Sequence, residues 1–553
     1  MNFLQACLPF LKWPRLTFDR FRTEWIAGFS VALLMVPQSV AYAALAGMPL
    51  VTGLYAALLP AIVGVMWGGS TRLSIGPSAL TCVLISASLT GMAEPTSAHW
   101  VNLAVWLALI AGGLQLLMGI LRYGWLLNLI SSPVMMGFTQ AAGLLVMASQ
   151  LPAITGWQTG GSFQWVDIIF GLLSLMALFA AKKWLPKWPS IMLVVAASAG
   201  VSYALGFADQ GGAVIGALPS SLPSLSLPTA PSWEELGLLV GPAVLIALVS
   251  FLEAASSAKT ENQKEGTLWQ ENQDLIGQGL AKIASGLSGS FATGTSFSRS
   301  AISLASGSKS GWSVVATASF VLLAVFASPA LFHVPRAVLA AIVILAVSSL
   351  IQPMAFVKLW KISRIEATTA GLTFAITLLS TPRIYWGVLA GVLMGLSHFL
   401  HTRLHPRIIE VGLHDDGSLR DRHLWQLPAI SSDVFALRMD AELDFAAASS
   451  FEKYITEKLS DSPQIQHVCL FAQPINRIDA TGVETLQQLR KQLTQRGIQL
   501  HISGIKLPVE KTLRLAGELD EFSAVHLYRT DVEAIHALRS LQALPDDIAG
   551  MAI

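Results

Sequence analysis

Apolar residues run in long stretches through the first 400 positions and give way to short alternating patterns after them. A helix that crosses a bilayer needs about 20 mostly apolar residues. Two sets of such stretches are separated by a loop rich in Pro, Ser and Gly at 206–235. The pattern predicts a polytopic α-helical membrane domain at 1–400 with seven plus seven segments, near 26–47, 51–68, 75–91, 100–121, 125–150, 165–182, 190–207, 236–257, 270–288, 297–309, 312–333, 335–352, 365–381 and 383–400.

One segment in each set is interrupted by small and polar residues. Residues 68–79 and residues 289–300 are rich in Gly, Ser and Thr, and both occupy the third position of their set. Paired interrupted segments at matching positions are typical of transporters built from inverted repeats, with the binding site where the broken helices meet. The sequence therefore predicts inverted repeats at about 20–207 and 236–400, with half-helices as segments 3 and 10.

The basic residues of the predicted loops give the orientation. With a cytoplasmic N terminus they fall on the cytoplasmic side, with Arg336 and Arg383 as exceptions, as the positive-inside rule requires. The stretch before the first segment has no convincing cleavage site and is interpreted as a cytoplasmic leader. Both termini are predicted to be cytoplasmic, and the compact loops favour a bacterial cytoplasmic membrane.

After residue 400 the periodicity changes and charged residues become frequent. Strand patterns at 434–439, 468–471 and 498–502 alternate with helix patterns at 446–459, 481–495, 509–516 and 532–541, which is typical of an α/β domain. The sequence predicts a linker at 401–430 and a soluble domain at 431–553.

Composition supports the membrane assignment, since 53% of residues are hydrophobic and only 12% are charged, against about 25% charged in soluble domains. The net charge of +1, with no basic face, excludes a nucleic-acid partner. Cys7, Cys82 and Cys469 have unrelated spacings and indicate neither disulfides nor a metal site. No nucleophile–base pair or cofactor motif is evident, so we expect neither an enzyme nor a bound cofactor.

Two helix N-termini meeting inside the membrane would bind an anion through free N–H groups and helix dipoles. Arg299, at the start of segment 10, would add a full charge at a depth where charge is costly. Its alternative role is to cap a carbonyl or to reach an interface. Ser78, Ser296 and Ser298 offer hydroxyls for an oxyanion, although small residues also serve helix packing.

Glu253 lies in the apolar segment 8, where a carboxyl group could exchange protons and couple anion uptake to a proton gradient. The alternative is a structural hydrogen bond or salt bridge. Gln38 follows Pro37 in the first segment. It would contact the ligand, or satisfy the backbone carbonyl that the proline frees.

Several motifs resemble the SulP anion permeases, also called the solute carrier 26 family. They are Pro37-Gln38-Ser39-Val40-Ala41-Tyr42, Ser74-Ile75-Gly76-Pro77-Ser78-Ala79, Phe251-Leu252-Glu253, Asn272-Gln273-Asp274-Leu275 and Ser296-Phe297-Ser298-Arg299-Ser300.

The resemblance implies a mobile core and a gate domain, an elevator-like motion and a homodimer. It also implies a substrate site between helices 3 and 10, lined by Gln38, Tyr42, Ser78, Ala79, Ser298 and Arg299, with Glu253 in proton coupling. Before Ser298, Gly294-Thr295-Ser296-Phe297 departs from the family's usual Thr-Gly-Ser-Phe order, which bears on the strand ahead of helix 10.

In the tail, Ile478-Asp479-Ala480-Thr481-Gly482 resembles the loop of STAS domains, which usually end SulP proteins. Asp479 is a natural helix N-cap. Thr481 lies beside the position that is phosphorylated in related domains, so both residues are candidates for regulation.

The sequence therefore predicts a secondary transporter of a small inorganic oxyanion, with sulfate and proton coupling favoured. The alternatives are a bicarbonate or dicarboxylate transporter, which would be sodium-coupled, and a passive anion channel. A membrane-anchored signalling protein would have no use for paired broken helices or for a charged Arg and Glu inside the membrane.

Overall fold

The computed structural model describes residues 8–156, 165–184, 189–210, 212–225, 227–381, 383–519 and 525–541. The chain divides into two compact units, Met1–Gly395 and Leu396–Ile553.

The first unit is helical apart from two short strands. Its elements are α1 (Phe18–Leu45), α2 (Leu50–Tyr55), α3 (Leu59–Trp67), β1 (Ile75–Gly76), α4 (Ala79–Leu89), α5 (Ala98–Ile120), α6 (Ser132–Thr155), α7 (Trp165–Trp184), α8 (Ser190–Ala204), α9 (Trp233–Glu265), α10 (Glu271–Leu287), β2 (Gly294–Thr295), α11 (Phe297–Ala305), α12 (Trp312–Phe326), α13 (Arg336–Ser348), α14 (Pro353–Ile362), α15 (Arg364–Leu379) and α16 (Tyr385–Leu404), the last of which ends beyond the unit.

Among the described residues, seven helical stretches are long and apolar enough to cross a membrane. They are Phe18–Leu45, Leu50–Trp67, Ala98–Ile120, Ser132–Thr155, Trp165–Trp184, Trp233–Glu265 and Arg336–Ile362. Every predicted segment overlaps helical structure, while the number of crossings stays a prediction.

Two helices extend well beyond their predicted bounds. α1 begins at Phe18 rather than near 26, and α9 continues to Glu265 rather than ending near 257. Hydropathy marks only the apolar part of a helix, whereas hydrogen bonding continues through polar turns. The ten-residue α14 was not predicted, because it is too short to appear as a span.

Small residues set how closely the helices of the first unit pack. A Cβ at Gly112 of α5 would lie 2.8 Å from the Gly279 carbonyl oxygen of α10, and a Cβ at Gly279 would lie 2.7 Å from the Gly112 carbonyl oxygen. Only glycine permits this backbone approach, as in other membrane helix pairs. The contact fixes the position of α10 against α5. It thereby also determines which side chains of α10 point into the unit.

Buried carboxylates hold the chain that leads into the first half-helix. Asp274 of α10 accepts hydrogen bonds from Ser70 N (2.8 Å), Ser70 Oγ (2.7 Å) and Trp269 Nε1 (2.7 Å). Arg72 Nε lies 3.1 Å from Glu261 Oε1 at the end of α9. These contacts attach the chain just before β1 to α9 and α10.

The second unit is a sheet with helices against it. Strands β3 (Ile408–Leu413), β4 (Leu419–Asp421), β5 (Val434–Met439), β6 (His467–Phe471), β7 (Gln499–Ser503) and β8 (Val525–Tyr528) lie in the order β4-β3-β5-β6-β7-β8. β3 runs antiparallel to β5, and β5 to β8 are parallel. The helices are α17 (Ala448–Asp461), α18 (Ala480–Gln495), α19 (Leu507–Leu515) and α20 (Asp531–Leu541).

Alternate residues of the strands enter two cores, because successive side chains point to opposite faces of a sheet. Phe435 and Leu437 pack with Phe451 of α17, whereas Val434 and Ala436 belong to the core that contains Leu538 of α20.

The stretch 401–430, predicted as a linker, instead contains β3 and β4. The alternating run Ile409, Glu410, Val411 is short, and its strand character depends on pairing with β5. β8 was also not predicted, since Val525–Tyr528 is only four residues long.

Candidate anion site

The two interrupted segments meet: their short strands β1 and β2 pair, and a half-helix follows each strand. β1 and β2 are antiparallel, with Ile75 opposite Thr295 and Gly76 opposite Gly294. α4 begins after Ser78, whose Oγ accepts from Thr81 N at 3.3 Å, and α11 begins after Ser296, whose Oγ accepts from Arg299 N. The pairing satisfies backbone groups that would otherwise be exposed at membrane depth. It also brings two helix N-termini to one place.

Ser74 joins the two halves at this point. Its carbonyl accepts from Ser296 N (3.1 Å), and its N–H donates to Ser300 Oγ (2.9 Å). Because these bonds connect the chain before α4 to the start of α11, the two interrupted segments form the site together. The unusual residue order before Ser298 still forms β2.

Arg299 is fully buried between the half-helices. Its Nε donates to Ser74 Oγ (3.1 Å), and its two terminal nitrogens donate to Gln38 Oε1 (3.3 Å) and to the Pro77 carbonyl (2.9 Å). An arginine has five N–H donors. Three have partners among the described residues, so the alternative role of binding a carbonyl is observed.

Glu253 of α9 faces the start of α4. Ser78 Oγ donates to its Oε2 at 2.8 Å, and Thr81 Oγ1 lies 2.9 Å from the same hydroxyl. Across the site, a Cβ at Gly294 would lie 2.7 Å from Ser78 Oγ and 3.1 Å from Glu253 Oε2. Glycine at 294 therefore allows β2 to approach the carboxylate.

The other predicted site residues are unequally exposed. Gln38, Tyr42 and Ser78 are buried, Ala79 and Ser296 are partly buried, and Ser298 is exposed. Ser296 Oγ lies 3.2 Å from Ser298 Oγ. Gln38 accepts from Arg299 and so orients the guanidinium, a role that sequence reasoning did not assign to it.

A cavity of about 480 Å³ lies beside this site, and its lining includes Glu253 but none of the seven predicted substrate residues. Leu80, Glu253, Thr295 and Phe297 line the side of the half-helices. α6 lines the opposite side with Met135, Met136 and Thr139. Since a liquid water occupies about 30 Å³, the cavity has room for an oxyanion together with several waters.

Sequence reasoning missed several residues of this region. Thr295 and Phe297 line the cavity but have no charge to mark them. Lys282, on α10, is fully buried and donates to Gln115 Oε1 at 2.9 Å. A lysine within a predicted span is a signal that we passed over, since charge inside a membrane is expensive and commonly functional.

The candidate regulatory residues lie in the second unit. Asp479 caps α18, with Oδ1 accepting from Gly482 N (2.9 Å), and its Oδ2 accepts from Phe445 N (3.0 Å). Thr481 is exposed in the first turn of α18. Among the residues that the structure describes, no group of three or more His, Cys, Asp or Glu could hold a metal ion.

Comparison with known proteins gives the family. The sulfate permease family matches residues 21–373, and the STAS domain matches residues 428–534. A protein named probable sulfate transporter 4.2 of Arabidopsis thaliana is 31% identical, over 93% of this chain and 81% of its own length.

Two solved structures share the fold. The murine solute carrier 26 family member A9 anion transporter, in an inward-facing state, has a TM-score of 0.87 at 19% identity and covers 97% of this chain and 95% of its own. The transmembrane domain of a cyanobacterium bicarbonate transporter has a TM-score of 0.58 at 20% identity and covers 69% of this chain and 99% of its own. The family and the apolar helices make the protein a multi-pass membrane protein, and the chain belongs to the sulfate permease family, with a C-terminal STAS domain.

Proposed function

We propose that this chain is a secondary active transporter of sulfate, coupled to protons, that binds the anion between the N-termini of α4 and α11. Membership of the sulfate permease family makes it an anion transporter. The observation that carries the proposal is the crossed pair of half-helix starts with the Arg299 guanidinium between them.

Electrostatics supports a dianion as the substrate. The helix N-termini contribute partial positive charges and free N–H groups, and Arg299 contributes a full charge. The attraction grows with the charge of the ion, which favours sulfate over a monoanion of similar size. The substrate residues we propose are Gln38, Tyr42, Ser78, Ala79, Ser296, Ser298 and Arg299.

Glu253 is the proposed proton-coupling group. Its carboxylate lies on the cavity and accepts a hydrogen bond from Ser78, the residue that caps the anion-binding half-helix α4. A proton on Glu253 would offset part of the anion's charge and would change the bond to Ser78. Proton binding and anion binding would therefore favour each other, as coupled transport requires.

The proposed motion is elevator-like, with the half-helices and their strands moving as one body past α6 and α13. The cavity supports this division, because Leu80, Glu253 and Thr295 line one side while Met135 and Leu350 line the other. We further propose a homodimer in the cell membrane with both termini cytoplasmic, and regulation of the STAS domain through Asp479 and Thr481.

The test is uptake of radiolabelled sulfate into proteoliposomes, with and without an inward proton gradient. Uptake that the gradient stimulates and that sodium leaves unchanged would support the proposal. Sodium-dependent uptake of bicarbonate or a dicarboxylate, with sulfate excluded, would replace it. A conductance far above carrier turnover would indicate a passive channel.

A further inference from the structure

Lys282 is a buried basic residue that the proposed transport cycle does not use. It lies on α10, and its side chain is fully buried where α10 and α5 approach most closely, near Gly112. Long basic side chains near a helix end normally extend to the membrane surface. Complete burial shows that Lys282 does not, so its amino group stays inside the unit.

The partner of Lys282 is a neutral amide. Nζ donates to Gln115 Oε1 at 2.9 Å, and Gln115 Nε2 donates to the Ala247 carbonyl (2.6 Å) and to Ser250 Oγ (3.2 Å). These bonds orient the amide with its oxygen toward the ammonium. Among the described residues, no carboxylate lies within ion-pair distance of Nζ. A charge buried in this way is costly and calls for a functional reason.

Two hydrogen-bonded connections link Lys282 to the anion site. Ser250 lies three residues before Glu253 on α9, which is less than one helical turn. Gln278 lies one turn before Lys282 on α10, and its Nε2 donates to Thr295 Oγ1 at 2.9 Å, on the wall of the cavity. Lys282 and Glu253 therefore lie within electrostatic range of each other and of the cavity.

The charges around the cavity give a simple sum. Arg299 and Lys282 contribute two positive charges, and Glu253 contributes one negative charge when ionised and none when protonated. With a proton on Glu253, a dianion makes the sum zero, whereas a monoanion leaves one net positive charge. A net charge in a low-dielectric interior is unfavourable. With Glu253 ionised, a monoanion also makes the sum zero. The dianion therefore gives the neutral complex in the protonated form, which is the form that proton-coupled uptake uses.

We propose that Lys282 determines specificity for divalent over monovalent oxyanions by supplying the second positive charge, without touching the substrate. This inference rests on the proposed transport of an anion at the α4 and α11 starts. It deepens that function, because it assigns the charge class of the substrate to one residue outside the binding contacts.

The test compares two tetrahedral anions, selenate as the dianion and perrhenate as the monoanion, by calorimetric titration of the full-length protein in detergent. A distant charge acts in proportion to the charge of the ligand. Lys282→Met is therefore expected to weaken selenate binding about tenfold and perrhenate binding only about threefold. Lys282→Arg is expected to keep the wild-type ratio of the two affinities.

A purely structural role for Lys282 predicts a different outcome. Equal weakening of both anions, or no change in either, would overturn the inference. If Lys282→Met fails to fold, Lys282→Gln gives the same test, because it removes the charge and keeps an N–H donor for Gln115. Ser285→Ala, which removes a buried hydroxyl from α10, is the control and is expected to leave the affinity ratio unchanged.

The two proposals fail in different ways. If the wild-type protein binds selenate and the ratio is insensitive to Lys282→Met, only the specificity inference is wrong. If the wild-type protein binds neither anion and takes up neither sulfate nor selenate, the proposed function itself is wrong, and the inference that rests on it falls as well.

Discussion

The second unit and the anion site of the first unit treat buried charge in opposite ways. In the second unit, Glu410 of β3 is only 5% exposed, and it forms ion pairs with Arg422 and with Lys458 at 3.1 Å, while His423 Nε2 lies 3.1 Å from its second oxygen. At the anion site, Arg299 is fully buried among neutral acceptors, and nearby Lys282 contacts one amide. Compensated charge in the second unit thus contrasts with uncompensated charge at the anion site.

This difference indicates which buried charges are functional. Burial by itself would raise the pKa of Glu410, but hydrogen bonds from Lys458 and Arg422 outweigh it and hold the pKa below its usual value. Such a group stabilises a fold. An uncompensated charge destabilises the empty protein and is retained where a ligand supplies the missing counter-charge. The anion site is therefore where we expect substitutions to alter transport rather than folding.

The largest expected effect follows from Arg299→Gln. The substitution removes the charge and leaves the Pro77 carbonyl and Ser74 without their donor, so we expect sulfate uptake to fall by at least about 100-fold. The control is Arg336→Gln, which changes an exposed arginine of the same unit. Radiolabelled uptake, normalised to folded protein, is the measurement. Uptake above a tenth of the wild-type rate would show that the anion binds elsewhere.

Glu410→Gln is the matched change in the second unit. It leaves Arg422 and Lys458 without their shared carboxylate, and we expect the free energy of unfolding of this unit to fall by about 2 kcal/mol near neutral pH. Because the pKa of Glu410 is lowered in the folded state, its contribution is present above the unfolded pKa and is lost as the pH falls below it. The measurement is denaturant unfolding at pH 7 and pH 3.

The effect of Glu410→Gln on transport must be measured as well as its effect on stability. Sulfate uptake per folded molecule should be nearly unchanged in Glu410→Gln. A large loss of uptake without a loss of stability would contradict the contrast between the two units.

Glu253→Gln should affect transport and not folding. The amide keeps the size of the side chain and can still accept from Ser78, but it cannot take up a proton. We expect the stimulation by an inward proton gradient, on the order of tenfold, to disappear while anion exchange without a gradient continues. Uptake measured at several external pH values checks this. Stimulation that survives the substitution would assign coupling to another group.

The smallest expected effect concerns a histidine cluster in the second unit. His501 is 1% exposed, with Nε2 3.1 Å from His467 Nδ1 and Nδ1 3.1 Å from the Tyr528 hydroxyl. Burial, with the neighbouring His526 and His467, lowers the pKa of His501 to about 4. The unfolded chain binds this proton more readily, so the stability of the unit should fall as the pH drops from about 6.5 toward about 4.

The expected loss from His501 is about 1 kcal/mol between pH 7 and pH 5. His501→Phe should start from a lower stability and show a shallower pH dependence, whereas the exposed His405→Gln should keep the wild-type slope. Hydrogen exchange of the β6 and β7 amides, corrected for intrinsic rates, gives the measurement. A parallel slope in His501→Phe would assign the proton to another residue.

Sequence reasoning identified the elements of the candidate site well and its contacts poorly. The Ser78 and Ser296 caps were among the hydroxyls expected at the half-helix starts, and the Gly, Ser and Thr content of both interrupted segments indicated broken helices. Lys282 was visible as a charge within a span, yet its depth and partner were not. The sequence pattern indicates that a residue lies in a membrane segment, but it does not indicate which side chains surround that residue.

The sequence determines local features: apolar runs long enough to span, residues that start and break helices, and the change of period after residue 400. Contacts between distant groups depend on the tertiary structure. Arg299 reaches Ser74 across 225 positions, and Ile408 to Glu410 form a strand through pairing with β5. The physical reason is that helix formation depends on neighbours along the chain, whereas the partner of a buried charge or of a strand edge depends on how distant segments pack together.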